Sequence, residues 1–91
     1  MDRALIISYL QAAEEHVAND DQQIADQRDF VSTLERTGHS ATSAISLLRE
    51  LEQTQLQHIA DRDRLRAELA VLNAVEAAKA DASTVDATRH S

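Results

Sequence analysis

Apolar side chains recur along this chain at alternating spacings of three and four residues, in two separate runs. The first passes through Ile6, Leu10, Ala13, Val17, Asp20, Ile24, Gln27, Val31 and Leu34. The second passes through Ala44, Leu48, Leu51, Gln55, His58, Arg62, Leu65, Leu69 and Leu72. A sustained period near 3.5 residues is the seam of helices that coil around each other to the left. The pattern therefore predicts two long helices, each with one apolar edge interrupted by a few polar residues.

The break between the runs falls at Gly38, the only glycine, in Leu34-Glu35-Arg36-Thr37-Gly38-His39-Ser40. Glycine just past a helix end takes the left-handed conformation without a Cβ penalty, and Arg36 suits the negative end of the helix dipole. Ser40 is a suitable N-cap for the second helix, with Thr42 as a competitor; Ser43 stands where a capping box would want Glu or Gln. A turn this short makes the helices antiparallel neighbours. The predicted architecture is all-α: a long antiparallel, coiled-coil-like hairpin over residues 1–80. Helix 1 is expected at about 2–36, the turn at 37–40 and helix 2 at about 41–79. Residues 81–91 lack a periodic apolar face and are expected to fray.

The expected core is Leu10, Val17, Ile24, Val31 and Leu34 on the first helix, with Leu48, Leu51, Ile59, Leu65 and Leu69 on the second. Leu48, Leu51, Leu65 and Leu69 are expected to pack on Val31, Ile24, Val17 and Leu10. Apolar residues also lie off the seam at Ile7, Phe30, Ile45, Leu47, Leu56 and Ile59, widening the stripe beyond a bare two-helix edge. Two helices touch along one line only, so these side chains call for another surface. A second copy, giving a homodimeric four-helix bundle, is the economical solution. A lone hairpin with an exposed patch and a different protein partner stay open.

Composition narrows the picture. The chain has no Pro, no Trp, one Phe and one Tyr, so aliphatic residues and Ala must supply nearly all burial, and a strand- or loop-rich fold is disfavoured. At 91 residues it is at most one domain, near the size where a single core is hard to stabilise. Net charge is −7, with eight acids against three bases in residues 2–36. That balance repels phosphate backbones and anionic lipid, so no nucleic-acid partner and no membrane association are expected. No stretch approaches the roughly 20 apolar residues of a spanning helix, and the first ten residues hold too short an apolar run for a signal peptide. With no Cys, disulfides, thiolate metal sites and Cys nucleophiles are excluded. A cytoplasmic setting is the expectation.

Folding the chain at Gly38 sets residues whose numbers sum to about 78 opposite each other. Asp20 then faces His58, and His16, one turn from Asp20, faces Arg62. These four form a predicted polar layer midway along the hairpin, with Gln27 and Gln55 nearby. The plain reading is a charge-paired layer that fixes register and partner number. Two imidazoles and a carboxylate are also metal-ligand types, making His16, Asp20 and His58 the candidates if a metal binds; imidazole beside carboxylate could instead sense pH. Glu-x-x-His repeats are absent and Arg62 would oppose a cation, so no metal and no cofactor is expected. His39 reads as an exposed turn residue, and His90 lies in the tail. Asp61-Arg62-Asp63-Arg64 alternates in sign and reads as a solvated face. No nucleophile turn or phosphate loop occurs, so no enzyme and no catalytic residue is expected.

Several segments resemble a family of small, uncharacterised bacterial helical-hairpin proteins. The matching pieces are Ala13-Glu14-Glu15-His16-Val17-Ala18, Gln27-Arg28, Leu34-Glu35-Arg36-Thr37-Gly38-His39 and, most specific, His58-Ile59-Ala60-Asp61-Arg62-Asp63-Arg64-Leu65. The resemblance covers roughly residues 13–69 and implies a helical hairpin without an assigned activity. This chain departs from the family's pattern at Gln23, where members carry another His, and at Ser40, where they carry an acid. The expected function is that of a non-enzymatic interaction or regulatory module acting through helix-face packing and self-association. The alternative is a small metal-binding or pH-responsive bundle using the His/Asp layer.

Overall fold

A computed structural model describes the backbone of residues 2–90 and the side chains of residues 2–81. It is a helical hairpin of two elements, α1 (Arg3–Arg36) and α2 (Thr42–His90). The rod measures 81 × 18 × 14 Å. Its radius of gyration, 22.3 Å, far exceeds the ~12 Å of a compact domain of this length.

Both ends of α1 are closed by local hydrogen bonds. Asp2 is the N-cap, its Oδ1 accepting from the Ala4 N–H at 3.4 Å. At the other end Gly38 takes φ +76°. This lets the His39 N–H donate to the Leu34 carbonyl at 2.9 Å and the Gly38 N–H to the Glu35 carbonyl at 3.3 Å. That pair of bonds is the Schellman arrangement, which satisfies carbonyls the helix cannot reach itself. Ser40 Oγ lies 3.5 Å from the Thr42 N–H it accepts from, at the entry to α2.

α2 continues to His90, where the sequence reading ends the helix near residue 79. The expected loss of helix in the tail is therefore corrected. Residues 79–90 contain neither Gly nor Pro, so no helix breaker stops the backbone where the apolar face fades. The side chains of residues 82–90, His90 among them, lie outside those described.

The helices meet along a thin core. Val17, Ile24, Val31 and Leu65 are buried, together with Ile6, Ala13, Ala41 and Ala44. Leu10, Leu34, Leu48, Leu51, Ile59 and Leu69 are half-buried. Beside the turn, Val31, Ala41 and Ala44 cluster, with Leu34 and Ile45 packed against them. Two alanines at this point keep α2 close to α1 immediately after the chain reverses. At the far end Arg3 Nη1 reaches Glu76 Oε2 at 3.0 Å, which sets how far the two helices run side by side.

Candidate functional site

The seam's polar positions all find partners. His58 Nδ1–H donates to Asp20 Oδ2 at 2.6 Å, and Asp20 is buried at 8% exposure. Gln27 Nε2 donates to the Ala44 carbonyl at 2.9 Å, crossing from α1 to the first turn of α2. Gln55 Nε2 donates to Asp21 Oδ1 across the helices. Among the described residues no buried side-chain nitrogen or oxygen lacks a hydrogen-bond partner. Each cross-helix bond holds for one register only, because sliding α2 by a turn separates every donor from its acceptor by ~5.4 Å.

The predicted layer of His16, Asp20, His58 and Arg62 is only partly assembled. The His16 and His58 rings stack with centroids 5.1 Å apart and planes 25° from parallel. Arg62 is the exception. It turns to its chain neighbour, Nε and Nη2 donating to Asp63 Oδ1 at 3.2 and 3.1 Å. Arg62 keeps the height opposite His16 that the Asp20–His58 contact gives it, and its guanidinium pairs along its own helix: a solvated carboxylate one residue away serves a long, flexible side chain with less desolvation than the interhelical layer. No group of three His, Cys, Asp or Glu among the described residues is placed to hold a metal ion.

The two flanks of the seam differ in character. On one, Arg28 Nη2 approaches Glu52 Oε2 at 3.9 Å and Arg66 Nη2 approaches Glu14 Oε1 at 3.5 Å. The Gln55–Asp21 bond lies on this same edge, so polar groups bridge the helices along its length. A helix turns about 100° per residue, which puts Phe30, two residues beyond Arg28, on the opposite edge of α1. The same count puts Leu47, five residues before Glu52, on that opposite edge of α2.

Leu5 and Tyr9 of α1, and Val71 and Val75 of α2, fall on this second flank as well. All six side chains are exposed: Leu5 47%, Tyr9 50%, Phe30 52%, Leu47 45%, Val71 65% and Val75 43%. Two other large apolar residues, Ile7 and Leu56, are exposed on the charged side. A shallow groove lined by Ile6, Arg64, Ala67, Glu68, Val71, Leu72 and Val75 opens near the free end.

No family model, curated protein or solved structure matches the chain. The site therefore has to be read from its own chemistry.

Of the six off-seam apolar residues named from the sequence, Ile45 and Ile59 are half-buried, while Ile7, Phe30, Leu47 and Leu56 are exposed. Tyr9 and Phe30 were not linked by the sequence reading, although their 21-residue separation, three heptads, puts them on one line of the helix. No helix among the described residues is long and apolar enough to cross a membrane.

Proposed function

We propose that this chain is a non-enzymatic interaction or regulatory module that self-associates as a homodimer, forming a four-helix bundle with coiled-coil-like packing in a cytoplasmic setting. The observation that carries the reading is the apolar flank. Among the described residues no large side chain is completely buried, and six large apolar ones share one uncovered edge.

The surface area points the same way. The chain exposes 6701 Å², against about 5,300 Å² for a compact monomer of 10.1 kDa. Covering six half-exposed side chains, each worth ~1.5–3 kcal/mol on full burial, supplies several kcal/mol toward association. Polar groups already bridge the other flank, leaving less for a partner to gain there.

The absence of a strained nucleophile turn or a phosphate loop supports the non-enzymatic part of the proposal. The acidic, Cys-free composition supports the cytoplasmic part. Likeness to the small bacterial hairpin family remains part of the proposal and brings no activity with it. Light scattering with circular dichroism across a dilution series tests the reading. Twice the chain mass with high helicity is expected, and a fully helical monomer at high micromolar concentration overturns it.

A further inference from the structure

We infer that the second copy makes its dry contacts at the two ends of the apolar flank and leaves the middle of that flank wet. This rests on the self-association proposed above and adds where the contact is made. Two observations carry it: the positions of the apolar side chains along the flank, and the chemistry of the residues between them.

The apolar residues of the flank fall into two groups. Leu5, Tyr9, Val71 and Val75 gather near the free end, and Phe30 and Leu47 stand at one height near the turn. The Asp20–His58 contact lies midway between the groups. Tyr9 is eleven residues before Asp20 and Phe30 ten after it; Leu47 is eleven before His58 and Val71 thirteen after it. The groups are thus about 30 Å apart at 1.5 Å per residue, and nearly symmetric about the centre of the rod.

A second copy of the same face lands group on group whichever way it points. With the turns at one end, Phe30 meets Leu47 and Leu5 meets Val71 and Val75, with Tyr9 bordering Glu68. With the turns at opposite ends, Tyr9 meets Phe30 and Leu47 meets Val71, with Leu5 and Val75 reaching toward the turn. A face that matches itself suits a two-fold contact between identical chains. The paired section is about 51 Å long. With a width of 18 Å it presents a face on the order of 900 Å², comparable to one side of a standard interface.

Between the groups the same lines of the helices change character. Steps of seven residues from Tyr9 to Phe30 pass through His16 and Gln23, and from Leu47 to Val75 through Thr54, Asp61 and Glu68. All five are exposed. Gln57 and Arg64 stand beside them, on the line of Val71, and are exposed as well. Burying such groups without partners costs ~1–3 kcal/mol each, whereas water kept among them preserves their hydrogen bonds. The apolar ends shed water and the centre holds it. Affinity in interfaces is concentrated in a few well-packed, desolvated anchors, aromatic ones above all. The chain's one Tyr and one Phe both belong to the end groups.

The test compares Tyr9→Ala and Phe30→Ala with Gln23→Ala and Gln23→Lys, all on one line of α1 and all exposed in the hairpin. Dissociation constants of the full-length chains are read by sedimentation equilibrium, with circular dichroism confirming equal helicity. Each end variant is expected to weaken association by about 30-fold or more, and each Gln23 variant by less than about fivefold. A Gln23→Lys variant that dissociates as readily as Phe30→Ala overturns the wet centre and leaves self-association standing. So does an end variant that associates like the parent, since contact at both ends is then not required. A parent chain that stays monomeric at high micromolar concentration overturns this inference and the self-association together.

Discussion

Asp20 and His58, 38 residues apart in sequence, are joined across the hairpin by a 2.6 Å hydrogen bond from imidazole Nδ1 to a buried carboxylate. His16 stacks on the far partner of that pair, so two imidazoles and one carboxylate occupy the middle of the rod. The bond ties one height of α1 to one height of α2, halfway between the turn and the Arg3–Glu76 contact.

Removing the donor should be costly. His58→Ala leaves the Asp20 carboxylate buried without its partner and should destabilise the hairpin by about 1–3 kcal/mol. The double change Asp20→Leu with His58→Leu replaces the pair by apolar contact and should recover most of that loss, as apolar substitutes for buried ionic groups often do. Chemical denaturation of the three proteins checks this; a double variant less stable than His58→Ala would contradict it.

Gly38 should tolerate replacement in the order Asn, then Ala, then Val. A Cβ at this position meets nothing within 4 Å, so the penalty comes from φ +76° alone. Gly38→Ala should cost about 1–2 kcal/mol and Gly38→Asn less, since Asn enters the left-handed region more readily. Equal stability of the Ala variant and the parent protein in thermal melts would show that the turn is not held as described.

Ala44 sits where α1 and α2 come together after the turn, 7% exposed and clustered with Val31 and Ala41. Ala44→Leu should push the helices apart and destabilise by about 1–3 kcal/mol despite the favourable helix propensity of Leu. The change also disturbs the Gln27 bond to the Ala44 carbonyl. Faster amide exchange at the start of α2 than in the parent would report the opening.

The ion pairs on the charged flank should matter little for stability. Arg28 and Glu52 are well exposed and 3.9 Å apart, and Arg66 and Glu14 are 3.5 Å apart and also exposed. A double-mutant cycle on either pair should give a coupling below about 1 kcal/mol that shrinks with added salt. Coupling above 2 kcal/mol would mean that this edge, too, is desolvated in the working protein.

The sequence conveys the seam, the turn and the height at which Asp20 meets His58, because each follows from regular repeats counted outward from Gly38. Helix periodicity is rigid over 30 residues, so facing positions can be read by number. Arg62 was less legible: a long side chain chooses among carboxylates within reach, and Asp63 is next to it in the chain. The extent of α2 is less legible, because its apolar periodicity fades before the helix ends. A segment without Gly or Pro can continue a helix after that face is lost. Leu5, Tyr9, Val71 and Val75 form a group only once the two helices fold together, since that alone puts them on one edge.

The most direct test of the account is a comparison of Leu47→Glu with Leu56→Glu by sedimentation at one protein concentration. Both side chains are exposed, at 45% and 60%, but they lie on opposite flanks of the rod. With self-association through the apolar flank, Leu47→Glu should be a helical monomer and Leu56→Glu should retain twice the chain mass. Equal behaviour of the two variants, or loss of the dimer only in Leu56→Glu, would contradict it.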